Sequence, residues 1–308
     1  MDYISRIEYI KKNIIIHFSQ FGFGIQCKYA ICNRIQGTFP DDALLDMNII
    51  KTLQNNDKIY INCHIPNIES CIHLLVDYIN TTQIKICFLI MGEPIIPKWI
   101  ITILKPYATT MFLQNNVYNE PNIYNMPIGI RDGEEVFTEH LHFSGYLLIN
   151  EIAIPRKKEY LCLLCFSYTH EQRRICEKVL GNKDFVVNLN SNCFYNGQPS
   201  FHCGKVPVWI NYEYTHKSYY TLCPTGVGEA THRFFEAIFL HSIPIVKRTN
   251  TVFDKLYNIF PCIIVDNWND VTFDLLENNI EIMTLKMNSF HVTHPTILRT
   301  SCDLFDFI

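Results

Sequence analysis

The sequence lacks long hydrophobic runs and any strong excess of charge. Its uncharged apolar stretches, such as Ile86 to Ile90, are far shorter than the ~20 apolar residues of a membrane-spanning helix. The first residues carry acidic side chains and no apolar core, so they do not resemble a secretory signal. The formal net charge of −4 gives no broad positive field for nucleic acid or an anionic membrane. We therefore expect no membrane span and no nucleic-acid partner.

The 13 cysteines lack the regular spacing of a disulfide framework or a metal site. Cys162 and Cys165 form a C-x-x-C, but they lie in the apolar run 160–166, where buried free thiols are favoured over a zinc or redox role. The chain is therefore expected to be cytoplasmic and reduced. The abundance of Asn, Ile, Lys and Tyr is typical of an AT-rich genome, such as that of a large DNA virus or a protist; for a virus, the expected location is the host cytoplasm.

Short apolar runs alternate with longer mixed segments along the chain, which indicates β-α-β units around parallel sheets. The predicted strands cover 14–18, 58–62, 84–91, 111–113, 123–130, 159–166, 184–189, 219–224, 243–246 and 263–265. The predicted helices cover 26–35, 68–78, 171–180, 229–241 and 273–287. The chain has 308 residues, 48% of them hydrophobic, which is enough for two packed cores.

A domain junction is predicted where this alternation is interrupted. Residues 131–158 mix Asp, Gly, Glu and Pro with isolated apolar residues, as linkers between domains do. The same alternation restarts after this segment. We therefore assign residues 1–150 to an N-terminal Rossmann-like domain and residues 151–308 to a C-terminal Rossmann-like domain.

The segment from Cys223 to Val246 carries the residue types of an anion-binding site. It reads as the end of a strand, a loop with two glycines, a helix and a second strand. Gly226 and Gly228 lack Cβ atoms, so their backbone can approach a ligand and their N–H groups can point at an anion. The helix N-terminus adds a partial positive charge, and Thr231, expected in its first turn, can donate to a phosphate oxygen. Together these features predict a diphosphate-binding site.

Three charged residues follow the glycines at helical spacing. Glu229, Arg233 and Glu236 are four and three residues apart, so we expect them on one face of a helix. An arginine there can pair with phosphate oxygens, and a carboxylate one turn deeper can accept hydrogen bonds from ribose hydroxyls. The alternative is that these three side chains pair with one another on a solvent-exposed face of the helix. In that case the two glycines only form a tight turn between the strand and the helix. The residues alone leave both interpretations open.

The same segment resembles the exostosin family of inverting glycosyltransferases. Members carry Cys-Pro-x-Gly-x-Gly, then a small or hydroxyl residue before Arg-Phe, then Glu-Ala, and finally an Ile-Pro-Ile/Val strand. This chain has the corresponding residues at 223–228, 231–234, 236–238 and 243–246, and a weaker similarity continues over 265–270. The similar segments keep the internal spacing of the family.

The resemblance implies a GT-B fold, in which two Rossmann-like domains face each other across a cleft. It implies a nucleotide sugar, usually a UDP-sugar, bound to the C-terminal domain, and transfer of the sugar with inversion to a glycan or other hydroxyl acceptor. Arg233 would hold the diphosphate and Glu236 the ribose, and Arg173, early in a predicted helix, is a second candidate phosphate ligand. The predicted donor-binding residues are Arg173, Thr225, Gly226, Gly228, Thr231, Arg233 and Glu236.

Inverting transfer also needs a base that takes the proton of the acceptor hydroxyl, and in this architecture the base usually comes from the N-terminal domain. Strand ends face the crevice in open α/β sheets, which favours His17, Glu93 and Asp132 as candidate catalytic bases. Each has a structural alternative. His17 can be a core histidine, Glu93 can cap a turn before Pro94, and Asp132 can form a turn with Gly133.

The chain contains no Asp-x-Asp sequence, the usual metal-binding device of the other main glycosyltransferase fold. We therefore expect metal-independent transfer, with Arg233 and the helix N-terminus neutralising the diphosphate and with no cofactor besides the nucleotide sugar. Animal exostosins are longer and carry a membrane anchor, so the resemblance does not supply the location or the acceptor. The identity of the sugar and the oligomeric state also stay open.

Other functions remain open on the sequence. A nucleotide-sugar epimerase or a sugar phosphorylase uses the same frame of two Rossmann-like domains, and a non-catalytic binding module can retain it. A dinucleotide oxidoreductase is less favoured, because neither half has G-x-G-x-x-G after its first strand. The segment from Phe21 to Gly24 comes nearest to that pattern and lacks the third glycine.

Overall fold

The computed structural model describes most of the chain as two compact units. The described residues are 27–31, 47–63, 67–92, 94–130, 156–190, 194–195, 198–199, 206 and 208–293. Those up to Ile128 form an N-terminal unit, and those from Gly129 onward form a C-terminal unit. The sequence places the domain boundary between residues 150 and 151, which lie outside the described residues, so the assignment of 1–150 and 151–308 stays a prediction.

The N-terminal unit is built on a parallel sheet. Its strands are β1 (Tyr29–Ile31), β2 (Lys58–Asn62), β3 (Ile86–Met91), β4 (Ala108–Gln114) and β5 (Ile123–Met126). They lie side by side in the order of the chain, and each neighbouring pair is parallel. The helices are α1 (Met47–Ile50), α2 (Ile68–Thr82) and α3 (Lys98–Leu104), and α3 continues into a 3-10 helix at Lys105–Tyr107.

The central strand of this sheet is buried on both faces. All six residues of β3 are buried, as expected for an apolar strand inside a parallel sheet. Phe88 and Ile90 belong to one apolar cluster with Ile72 and Leu75 of α2. The alternate residues of β3 point to the opposite face and are buried as well. The sheet is therefore a packed layer of the hydrophobic core.

The C-terminal unit is built on a second parallel sheet. Its strands are β6 (Tyr160–Leu164), β7 (Val186–Asn188), β10 (Ser218–Leu222), β11 (Ile243–Lys247) and β12 (Ile263–Val265), and a separate antiparallel pair is formed by β8 (Phe194–Tyr195) and β9 (Gln198–Pro199). The strand order is β12-β11-β10-β6-β7. The helices are α4 (Glu171–Leu180), α5 (Val208–Lys217), α6 (His232–Phe239), α7 (Asp254–Tyr257) and α8 (Phe273–Thr293), with a 3-10 helix at Trp268–Asp270.

The strand order of the C-terminal unit reverses between β6 and β10. From β6 the chain moves outward to β7, but from β10 it moves through β11 to β12 on the other side. Because such crossovers are right-handed, the connections that follow β6 and β10 leave toward opposite faces of the sheet. They separate at the carboxyl ends of these neighbouring strands, which is the topological switch point where open α/β sheets bind ligands.

Helix α6 is fixed by a cluster of aromatic rings. The ring centroids of Phe234 and Phe235 are 5.0 Å apart, and they lie 5.7 Å and 5.6 Å from that of Phe260. Tyr257 packs on Phe234 at 5.1 Å. Edge-to-face contacts between buried rings stabilise a packed core beyond the area that they bury. This packing fixes α6, whose first turn carries Arg233.

The two sheets agree with the predicted Rossmann-like α/β class, while the GT-B arrangement stays a prediction. Every predicted strand that falls on described residues is present, and the strand predicted at 14–18 lies outside them. The bounds of β2, α4 and β12 coincide with the predicted 58–62, 171–180 and 263–265. Among the helices of the described segments, none is long and apolar enough to cross a membrane.

Two helix predictions are corrected. The helix predicted at 26–35 is wrong where it is described, because residues 29–31 form β1 and pair with β2. Tyr29 and Ile31 are buried on either side of Ala30, which is the period of a strand. The helix predicted at 229–241 spans only His232–Phe239. Helices α1, α3, α5 and α7 have no counterpart among the predicted helices.

Candidate functional site

The predicted donor-binding residues all lie on the two connections that leave the switch point. Arg173 is in the first turn of α4, after β6. Arg233 and Glu236 are on α6, after β10, and the loop between β10 and α6 carries Thr225, Gly226, Gly228 and Thr231. The strand order thus brings together residues that are more than fifty positions apart in the sequence.

Arg173 links the two connections. Its Nη1 donates to the carbonyl oxygen of Ser167 at 2.8 Å and to the hydroxyl of the same residue at 3.3 Å. Its Nε donates to the carbonyl oxygen of Thr225 at 3.3 Å. Burial, with a smaller contribution from the charge of Arg233, lowers the pKa of Arg173 to about 10. Arg173 is therefore a desolvated cation with a second cation nearby.

Gly226 makes room for this arginine. A Cβ atom at position 226 would lie 2.6 Å from Nη2 of Arg173 and 3.4 Å from the Cγ2 atom of Thr231. The N–H of Gly226 donates to the carbonyl oxygen of Gly228 at 3.1 Å. In this structure the close approach that the glycine permits is therefore made by a protein guanidinium, and its N–H is used within the loop.

Arg233 is the second guanidinium of the site. Its Nη1 donates to Oδ1 of Asn211 at 2.8 Å, and the residue is half-buried. Within the part of the chain that the structure describes, neither Arg173 nor Arg233 makes an ion pair with a carboxylate. The exposed Arg174 and Arg248, in contrast, are paired with Glu171 and Asp266. Two partly buried cations that have no carboxylate partner among the described residues favour the binding of an anion.

Glu236 is held by a residue that the sequence did not identify. The glutamate is only 7% exposed, and its Oε1 accepts a hydrogen bond at 3.0 Å from the hydroxyl of Tyr212, which is 2% exposed. Tyr212 and Asn211 are consecutive residues of α5, so one helix supports both charged residues of α6. The segment 208–217 is rich in β-branched and aromatic residues with weak helix propensity, and this explains why α5 was not predicted.

The start of α6 differs from the prediction. Thr231 is the N-cap residue, with an extended backbone and no capping hydrogen bond from its side chain, rather than a residue of the first turn. Glu229 lies before the helix, so the prediction that it shares a helical face with Arg233 and Glu236 is wrong. The physical reason is the bend at residues 227–230, which delays the helix until His232.

Glu229 nevertheless belongs to the site. Its Oε2 accepts a hydrogen bond from the hydroxyl of Thr225 at 3.3 Å, and its main-chain carbonyl oxygen accepts one from the hydroxyl of Tyr257 at 3.1 Å. Burial raises the pKa of Glu229; the bond from Thr225 and the charge of His170 act in the opposite direction, and Asp254 raises the pKa. His170 belongs to the connection after β6, so groups on both connections affect the charge of this carboxylate.

The other site predictions have mixed outcomes. His17, Glu93 and Asp132, the candidate catalytic bases, lie outside the described residues and stay predictions. Cys162 and Cys165 are both buried, as predicted for cysteines of this apolar run. In the described parts of the chain, no group of three or more His, Cys, Asp or Glu side chains is arranged to hold a metal ion. Metal independence of the transfer stays a prediction.

Comparisons with known proteins assign no family. The chain matches no protein-family model, and a search of curated proteins finds no match. The resemblance to exostosin glycosyltransferases therefore depends on the residues of the segment 223–246 and on their spacing.

Proposed function

We propose that this protein is a glycosyltransferase that binds a nucleotide-sugar donor at the switch point of its C-terminal unit. The donor is a UDP-sugar, and the sugar is transferred with inversion, without a metal ion, to a glycan or other hydroxyl acceptor. The observation that carries the proposal is the pair of half-buried guanidinium groups of Arg173 and Arg233, which have no carboxylate partner among the described residues.

A diphosphate is the ligand that suits this pair. Each guanidinium has donors that remain after its bonds to Ser167, Thr225 or Asn211, and guanidinium groups bind phosphate oxygens in a bidentate way. In a half-buried crevice such contacts are stronger than in water. They stabilise the negative charge that develops on a nucleoside diphosphate as it leaves the sugar. This is the contribution that a metal ion makes in other transferases.

The role proposed for Glu236 rests on the resemblance. One carboxylate oxygen accepts from Tyr212, and the helix places the residue one turn beyond Arg233. A carboxylate held in this way is suited to accept hydrogen bonds from the vicinal hydroxyls of a ribose, because its orientation is already fixed before the ligand binds. The diphosphate and the ribose of one nucleotide would then contact successive turns of α6.

Thermal unfolding with a panel of nucleotides and nucleotide sugars tests the donor site. A ligand at 100 times its dissociation constant adds about 2.7 kcal/mol to the free energy of unfolding. We expect UDP to raise Tm of the wild-type protein, and we expect the increase to disappear in Arg173→Ala and Arg233→Ala. Arg174→Ala is the matched control, because this arginine is on the same helix as Arg173 but is exposed and paired with Glu171. No increase with any nucleoside diphosphate would contradict the proposal.

A second experiment separates transfer from the alternatives. The purified protein is incubated with the UDP-sugar that raises Tm most, with and without a mixture of glycan acceptors. A transferase releases UDP in proportion to a new glycoside. An epimerase converts the sugar without an acceptor, and a phosphorylase releases sugar phosphate. A protein that binds UDP and yields none of these products is a binding module.

A further inference from the structure

The carboxylate of Glu229 lies next to the proposed diphosphate site and is not used by it. It accepts from the hydroxyl of Thr225, and the carbonyl oxygen of the same threonine accepts from Nε of Arg173. A single residue therefore separates the carboxylate from the first guanidinium. Within the described residues, Glu229 forms no ion pair with Arg173 or Arg233. The carboxylate thus leaves both guanidinium groups available for an anion.

The position of Glu229 is fixed by its main chain. Its carbonyl oxygen accepts from the hydroxyl of Tyr257, and Tyr257 is buried against Phe234. Phe234 belongs to α6 and follows Arg233 directly. Loop movement that carried Glu229 away from Thr225 would have to break this contact, so the carboxylate stays next to the threonine that also contacts Arg173.

The half-buried carboxylate of Glu229 disfavours a further negative charge beside it. The charge of Asp254 raises the pKa of this carboxyl group, while the charge of His170 acts in the opposite direction. A phosphate group brought beside it would meet the ionised carboxylate or would force it to take up a proton. Either event weakens binding. A hydroxyl group in the same place donates a hydrogen bond to the carboxylate and adds no charge.

We infer that Glu229 is a specificity-determining residue, which accepts hydrogen bonds from a hydroxyl-bearing group attached to the diphosphate and disfavours a third phosphate. The site then takes a nucleoside diphosphate joined to an uncharged sugar in preference to a nucleoside triphosphate. The inference rests on the proposed function, because it requires the diphosphate to lie between Arg173 and Arg233.

The experiment compares the dissociation constants of UDP, UTP, UDP-glucose and UDP-N-acetylglucosamine by calorimetry at pH 7. In the wild-type protein we expect UTP to bind more weakly than UDP and at least one UDP-sugar to bind as tightly as UDP or more tightly. Glu229→Gln keeps the shape of the side chain and removes its charge. We expect it to strengthen UTP binding by about ten-fold, because a like charge is removed, and to strengthen UDP binding by a smaller factor, because the inference places a third phosphate nearer to the carboxylate than the diphosphate.

Two further variants complete the test. Glu171→Gln removes an equal charge at an exposed position in the first turn of α4, and we expect it to leave the UTP to UDP ratio unchanged. Glu229→Asp keeps the charge and should retain the preference for UDP. If either Glu229 variant fails to fold, the dissociation constants of the wild-type protein still test the inference. UTP binding as tight as that of UDP overturns it.

The result also separates this inference from the proposed function. A wild-type protein that binds neither UDP nor a UDP-sugar refutes the proposed donor site. A wild-type protein that binds UDP through Arg233, with a UTP to UDP ratio that Glu229→Gln leaves unchanged, retains the donor site and overturns the role of Glu229.

Discussion

Gly226 lies so close to Arg173 that a Cβ atom at position 226 would come within 2.6 Å of Nη2 of the arginine. The glycine has no left-handed backbone angle that would require it, since Gly92 and Gly129 are the glycines with positive φ among the described residues. What position 226 requires is therefore space, and the space is filled by the guanidinium. A larger residue at position 226 should therefore displace the side chain of Arg173 and leave the backbone in place.

Gly226→Ala should weaken nucleotide binding with little loss of stability. The new methyl group displaces the end of a flexible side chain rather than backbone, and the loss of an Arg173–phosphate contact costs about 1.5–3 kcal/mol of binding free energy, or about ten-fold or more in affinity. Calorimetry with UDP measures the affinity, and urea unfolding measures the stability.

Gly181→Ala is the contrasting variant. There the Cβ atom would lie 2.6 Å from the backbone carbonyl oxygen of Glu177, which cannot move without distorting α4. It should lower the free energy of unfolding and leave UDP affinity unchanged. If both variants affected stability equally and binding not at all, Gly226 would not serve to accommodate the guanidinium.

Tyr212→Phe should destabilise the protein through Glu236. The change removes the hydroxyl that donates to Oε1 of the buried carboxylate, and an unsatisfied buried acceptor costs about 1–3 kcal/mol. Glu236→Gln and the double variant complete a thermodynamic cycle measured by urea unfolding. A coupling energy near zero would mean that the hydrogen bond does not hold the glutamate.

Asn211→Asp should weaken nucleotide binding more than Asn211→Ala. The side-chain oxygen of Asn211 accepts from Nη1 of Arg233 at 2.8 Å, so a carboxylate in its place forms an ion pair that neutralises the arginine. The alanine variant removes only the orienting hydrogen bond. The prediction is tested by measuring the UDP affinities of both variants at low and moderate salt. Equal affinities would show that the charge of Arg233 does not contribute to nucleotide binding.

A group of stacked histidines should make the protein sensitive to acid. His216 and His241 are stacked at 6.5 Å, and His241 and His291 at 3.8 Å. Burial is the main reason why the pKa of His216 is lowered to about 4 and that of His241 to about 3. The charge of Lys158 contributes to both values, and His291 contributes to that of His241. Arg156 acts on His216 in the same direction.

The lowered pKa values of these histidines determine how stability changes with pH. Between about pH 6.5 and 4 the unfolded chain binds protons at these histidines and the folded chain does not, so stability falls as the pH is lowered. Urea unfolding of the wild-type protein at several values in this range should show the fall. His216→Gln removes one titrating group and should reduce the slope. An unchanged slope would indicate that His216 does not contribute.

The strand and helix pattern was largely readable from the sequence because each element carries its own signal. The run from Ile86 to Met91 is apolar throughout and forms the central strand β3. Residues 171–180 carry a helical pattern and form α4. The prediction of a helix at β1 is wrong, because three residues are too few for a periodic signal in the sequence and the strand depends on its pairing with β2.

The sequence by itself determined the part of the candidate site that lies on the connection after β10. Gly226, Arg233 and Glu236 lie within one segment, their spacing predicts a loop followed by a helix, and the resemblance to exostosins favours a diphosphate as the ligand. Only the tertiary structure decided what surrounds them. It places β6 beside β10, which brings Arg173 to Arg233, and it packs α5 against α6, which supplies Asn211 and Tyr212. The reason is that local spacing is encoded along the chain, whereas the order of strands in a sheet arises from packing between distant segments.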